Sequence, residues 1–292
     1  MNAFMEFLQT TFPALVLVFT VSNLAAMGLQ VNISEVMVAL RNKKAMVLIF
    51  VWGWVLGPAL GVLITWVLPL DEPYAIVVIL ASLAPCAPFL QQMVVKARGE
   101  AGFTGAFIPL VVIGTVIFMP TMAPLLIEGL AIDTWSLAKP LLLTILLPLI
   151  IGAAFRHYAG AMASRIFPAA KGFAMLATLL TIIWCLVIYG QGMLDTAGSL
   201  ALLSMTLFMV IMALISYRIG FGMKQNQRSV MALGMGTRNI AAVLAAALAI
   251  PDADPRITVM VIMWTLWSVV LAAIGAQIFA RLHDKTTNAE TA

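Results

Sequence analysis

One basic residue, Arg238, stands inside an apolar run, in the stretch Gly234-Met235-Gly236-Thr237-Arg238-Asn239. A guanidinium is permanently charged and planar, with five N–H donors. In such surroundings it can grip a carboxylate or balance charge buried beside it. A second stretch, Ala84-Pro85-Cys86-Ala87-Pro88, sets two prolines three residues apart in another apolar run. Each proline removes a backbone donor and clashes with the preceding turn, so carbonyls are freed there. The nearest polar side chains are Gln91, Gln92, Thr104, Thr237 and Asn239. This is chemistry of binding and charge balance, not of bond making. His157 and His283 are the only histidines, and Cys86 and Cys185 both lie in apolar runs as small core residues, so no metal-ligand spacing arises. No acid, base and nucleophile set exists to support an enzyme, and no cofactor is expected.

The elements that must hold these residues are membrane helices. Of 292 residues, 63% are hydrophobic and 10% charged, against roughly 25% charged in soluble chains. Too few polar residues exist to cover a water-facing surface, which excludes a nucleic-acid binder, a soluble enzyme and a disulfide-stapled domain. A spanning helix needs about 20 apolar residues. That ruler gives nine spans: 11–29, 45–68, 74–95, 101–126, 137–158, 172–190, 200–222, 229–250 and 257–281. Residues 1–10 lack a basic leader, so the first run is expected to be a retained span. The expected fold class is an all-α polytopic membrane protein with nine transmembrane helices, in the cell (inner or plasma) membrane.

Assigning the loops alternately to two sides separates the basic residues. Arg41, Lys43, Lys44, Lys96, Arg98, Arg156, Arg165, Lys171, Arg218, Lys224, Arg228, Arg281 and Lys285 fall on one side. Lys139 and Arg256 fall on the other, with Glu6, Asp71, Glu72, Glu128, Asp133, Asp195, Asp252 and Asp254. The positive-inside rule then puts the N-terminus outside and the C-terminus in the cytoplasm. Trp66 and Trp135 fall near outer boundaries, where aromatic rings sit well. Arg238 is the one basic residue left inside a span, at about 2.5–3.5 kcal/mol on insertion scales.

The third and eighth spans are expected to be interrupted helices, broken at Pro85 and Pro88 and at Gly234 and Gly236. Broken helix at membrane depth requires protein or a water-filled cavity to satisfy the freed backbone. Paired breaks in two halves point to a transporter site at the midplane. The bland alternatives are a proline kink, and a Gly-x-Gly that merely lets helices pack. Gly53, Gly57 and Gly61 form a small-residue stripe on the second span, expected to serve close packing inside the chain. Arg238 is expected to be an unpaired buried charge, whose removal relieves an insertion cost.

Three stretches carry a family likeness. Ala26-Met27-Gly28-Leu29-Gln30-Val31, the proline-broken span ending in Lys96-Ala97-Arg98-Gly99, and Gly234-Met235 followed by Ala241-Ala242-Val243-Leu244-Ala245-Ala246-Ala247 together resemble the bile acid:sodium symporter family. The resemblance implies a panel and a core domain, inverted repeats, and two discontinuous helices crossing near the midplane. It also implies a nine-span form lacking the first helix of the first repeat. The repeats would be residues 1–131 with four spans and 132–292 with five, in a single transmembrane unit whose core comes from spans 74–126 and 229–281. The sodium-binding pattern of that family is altered. Leu90 and Gln91 stand where it has Ser-Asn, and Thr104 and Ile108 where it has a Ser and a Thr. Ala232 replaces its carboxylate, Gly236-Thr237-Arg238 follows Gly234-Met235 where it has Gln-Asn-Ser, and Gly53 replaces a Gln.

The expected function is therefore a secondary transporter of a small organic anion, in which Arg238, Asn239, Thr237, Gln91, Gln92 and Thr104 bind substrate. Sodium dependence is expected to be weak or absent. The alternatives are a sodium-coupled importer of a bile-acid-like or keto acid, with a degenerate sodium site at Thr104, Gln91, Thr237 and Asn239, and a non-transporting receptor on the same scaffold. Besides the anion, only membrane lipid is an expected partner, with no nucleic acid and no soluble protein.

Overall fold

The computed structural model describes residues 3–127, 133–197 and 199–291. Glu128 and the expected junction between residues 131 and 132 lie outside them, as do the side chains of Asp195 and Lys285. The described residues are helical, with no strand beyond one isolated bridge. In chain order the helices are α1 (Ala3–Gly28), α2 (Ile33–Leu40), α3 (Lys43–Phe50), α4 (Gly57–Val67), α5 (Glu72–Ser82), α6 (Leu90–Lys96) and α7 (Ala101–Leu126). There follow α8 (Thr134–Leu141), α9 (Leu147–Tyr158), α10 (Gly160–Ala197), α11 (Ala201–Arg218), α12 (Gln225–Gly236), α13 (Ile240–Ala247) and α14 (Pro255–Thr291).

Two π-helical links, Val51–Leu56 and Leu142–Leu146, join α3 to α4 and α8 to α9 into continuous rods. Each link ends just before a proline in the first turn of the next helix, Pro58 and Pro148. A proline has no N–H for the carbonyl four residues back. The ladder shifts register instead: Gly57 N–H reaches Trp52 O and Leu147 N–H reaches Leu142 O, the i to i+5 pattern of a π turn.

Seven helical segments among the described residues are long and apolar enough to cross a membrane: Phe4–Gly28, Lys43–Val67, Ala101–Leu126, Thr134–Tyr158, Gly160–Met193, Ala201–Arg218 and Pro255–Asp284. Each contains or largely overlaps an expected span. The helix expected at 172–190 starts earlier, at Gly160, because the apolar ruler ignores the polar turns carrying Arg165 and Lys171, residue types that are good helix formers. The other two expected spans, 74–95 and 229–250, are each two short helices, α5 with α6 and α12 with α13, and no half reaches spanning length.

α1, α9 and α10 pack on one another. Gly28 of α1 and Gly152 of α9 meet face to face, and a Cβ on either would collide with the other helix's backbone. Ile150, Ile151, Phe173, Leu176 and Leu179 are exposed on α9 and α10, an apolar outer surface suited to lipid. Elsewhere α5, α6 and α12 gather among α4, α7, α11 and α14, while α13 lies against α5, α8 and α14. Here Gly57 and Gly61 admit the last turn of α5 at Ser82, and Gly53 lies against Pro85 and Met235, so the small-residue stripe does pack inside the chain.

Charges expected on one side touch one another. Arg256 pairs with Asp71 at 2.9 Å and with Asp254 at 2.8 Å. The Arg256 bonds hold the Asp254 carboxyl below its usual range. Trp66 and Trp135, at opposite ends of their helices, are 89% and 64% exposed. The nine-crossing topology predicts that a cysteine at Asp252 is labelled by an impermeant maleimide from outside, while one at Lys171 or Lys224 is not. Native Cys86 and Cys185 are buried, so background is low. Labelling of Lys224→Cys from outside overturns the arrangement.

Candidate functional site

The two interrupted segments meet. α5 stops at Ser82 because Pro85 offers no N–H and restricts the residue before it; the chain resumes as helix at Leu90. α12 stops at Gly236, and α13 begins at Ile240. The gap is Thr237-Arg238-Asn239, so Gly234 and Gly236 sit in the last turn of α12 and are not themselves the break. Their use is close approach: a Cβ on Gly234 would overlap the Phe107 ring, and one on Gly236 would press on Met209 O.

The non-helical backbones satisfy each other. Pro85 and Arg238 form an antiparallel bridge. Asn239 N–H donates to Ala84 O at 2.7 Å, and Cys86 N–H lies 2.9 Å from both Gly234 O and Thr237 O. Ala87 N–H donates to Thr237 Oγ1 at 3.1 Å, while that hydroxyl donates to Leu233 O at 2.7 Å. Cys86 holds a φ of 75°, a left-handed conformation that a non-glycine residue tolerates only when its surroundings impose it.

Arg238 is fully buried. Its Nη1 donates to Ala81 O at 3.3 Å and Ser82 O at 3.4 Å, at the end of α5. Its Nη2 donates to Met235 O, at the end of α12. The guanidinium carbon lies 4.7 Å from the centre of the Phe208 ring, within cation–π range. The charge expected to be unpaired is therefore partnered, by carbonyls at the ends of two helices, of which Ala81 O also accepts from Ala84 N–H at 3.1 Å. Arg238 Nε and Asn239 Nδ2 are buried with no partner among the described residues, while Asn239 Oδ1 accepts from Ala242 N–H and caps α13.

The structure brings Thr237, Arg238, Asn239, Pro85 and Cys86 together; it does not bring in the rest. Gln91 and Gln92 are exposed on α6, and Thr104 in the first turn of α7 donates to its own helix at Glu100 O. Among the described residues no hydrogen bond joins Gln91, Gln92 or Thr104 to Thr237 or Asn239. Sequence reasoning missed Phe208 and the carbonyls of Ala81, Ser82 and Met235. An aromatic in an apolar run reads as filler, and a carbonyl has no letter of its own.

Two clefts open away from the crossing, and no residue of the two gaps lines either of them. One of about 220 Å³ lies between α1, α8 and α13, with Val16, Thr20, Thr144 and Leu248 in its walls; both threonine hydroxyls are spent on their own helices. Another, about 340 Å³, lies where α7 and α12 begin, beside Asn42, Glu100, Phe103 and Gln227.

A model of the family described as the Sodium Bile acid symporter family matches residues 15–196. A rice protein (Oryza sativa subsp. japonica) described as probable sodium/metabolite cotransporter BASS3, chloroplastic, is 23% identical over 195 residues, 66% of this chain and 46% of its own length. The chain thus spans less than half of the curated relative it matches.

The Phe107–Gly234 contact generates a prediction. Gly234→Ala should lower stability by about 1–3 kcal/mol, the usual effect of overpacking, and Phe107→Leu in the same chain should recover part of it. Equal melting temperatures for Gly234→Ala and wild type in detergent would contradict the contact.

Proposed function

The chain belongs to the sodium bile acid symporter family, and on that premise we propose that it is a secondary transporter moving a small organic anion across the cell membrane by alternating access. The two broken segments complete nine crossings, with the N-terminus outside. The observation that carries this reading is the pairing of two interrupted helices whose junctions are buried against each other. Such junctions place backbone groups and helix ends where a solute can use them. The layer of α1, α10 and the α8–α9 rod moves against the crossing segments.

The anion is held at the start of α13, where Asn239 offers an amide N–H with no partner of its own and the positive end of the helix favours negative charge. Arg238 acts on it through charge rather than contact. Gln91 and Gln92, exposed on α6, are further polar contacts along the path. Moving a monoanion inward against an inside-negative potential requires about 2.3 kcal/mol per 100 mV, so downhill passage or export is the natural direction.

Two measurements test this. Thermal shift of the purified protein against monocarboxylates, dicarboxylates, keto acids and bile acids should find a carboxylate that stabilises it saturably. Asn239→Ser, which keeps an N-cap acceptor but loses the amide donor, should weaken that carboxylate about tenfold or more. No stabilisation by any carboxylate, together with no uptake into proteoliposomes, overturns the assignment. Second, Tyr74 Oη lies 3.3 Å from Thr196 Oγ1, tying α5 to α10. A reducible cross-linker between cysteines placed at these two positions should stop transport, and cleaving it should restore transport; undiminished turnover in fully cross-linked protein would rule out relative motion of these helices.

A further inference from the structure

We infer that the crossing carries its own cation: the Arg238 guanidinium fills, as a tethered group, a cation site built by the C-terminal carbonyls of α5 and α12, and the solute crosses without sodium. The second half of this rests on the transporter reading; the first half stands without it. α5 and α12 both end at the crossing, and each helix end carries roughly half a negative elementary charge. Together these amount to about one unit, and one buried positive charge faces them. The contacts are specific: Ala81 O and Ser82 O from one helix and Met235 O from the other all accept from the same guanidinium, and the Phe208 ring covers its face. Among the described residues no carboxylate pairs with Arg238, so carbonyl dipoles serve as its counter-charge.

The side-chain oxygens that a dissolved cation would need each already hold a hydrogen bond to backbone. Thr237 Oγ1 is shared between Leu233 O and Ala87 N–H, Asn239 Oδ1 caps α13, and Thr104 Oγ1 donates to Glu100 O. Sodium entering beside Arg238 would stand a few ångströms from a permanent positive charge in a poorly screened interior. It would also find the carbonyls occupied. A tethered cation leaves the positive start of α13 free for an anion, and does so in every conformation.

The test is to vacate the site. Purified Arg238→Ala in detergent should melt below wild type. Low concentrations of methylguanidinium should raise its melting temperature saturably, while equal choline does not, and wild type should respond to neither. Arg238→Lys, which keeps a cation on a different frame, should respond less than Arg238→Ala. A folded Arg238→Ala that no small cation stabilises beyond choline overturns the cation site. Wild type supplies the arm that does not depend on the variant folding: its melting temperature should be equal in sodium and in choline, and a saturable rise in sodium overturns the proposal. In proteoliposomes, solute uptake by wild type should change less than about twofold when choline replaces sodium, and a loss of about tenfold would refute sodium independence. Absence of any uptake, with guanidinium rescue intact, refutes the transporter reading and leaves the tethered cation standing.

Discussion

Backbone polar groups set free inside an apolar interior must find partners in the protein, because an unsatisfied N–H or C=O there costs several kcal/mol. The prolines that stop α5 and the gap that ends α12 create many such groups in one place. They are met by mutual repair. The two gaps pair as a minimal antiparallel bridge, Thr237 bonds in both directions, Asn239 caps α13, and Arg238 collects carbonyls from both terminated helices. Each broken helix supplies partners for the polar groups freed by the other.

Close packing then follows as a requirement. Backbones can pair across two helices only if nothing bulky holds them apart, and the glycines are placed accordingly. Gly53, Gly57 and Gly61 let the rod through the first π link lie on the end of α5, while Gly234 receives Phe107. The π link puts Gly53 against Pro85, so a register shift forced by Pro58 is felt at the crossing. Trp54 lies on Gly114 and beside Phe118 on the far side of the same rod. By contrast, α9 and α10 present apolar faces outward.

Electrostatics give the centre its polarity. Two helix ends of negative sign are neutralised from within the chain, whereas the start of α13 keeps an amide donor without a partner. Among the described residues no carboxylate pairs with Arg238, and backbone carbonyls keep its charge in balance.

The sequence by itself determined the all-helical membrane class and, to within a few residues, the location of both interruptions. Each of these depends on local composition: apolar run length, proline's missing donor, and charges excluded from hydrocarbon. Arg238 was legible as the anomalous residue for the same reason. Its partners were not. Letters could show a charge in an apolar run, but not that the carbonyls of Ala81 and Ser82, more than 150 residues earlier, would face it, so an unpaired charge was expected where a capped one stands. The glycines near Arg238 likewise suggested a helix break, whereas Gly234 serves a contact with Phe107, and Gly236 one with Ala213 and Met209, that only tertiary packing creates. Gln91, Gln92 and Thr104 looked equivalent to Thr237 and Asn239 as polar residues near a break. Tertiary structure alone decided which joined the crossing, because a side chain's partners depend on which way its helix faces, and that direction is set by neighbours far away in the chain.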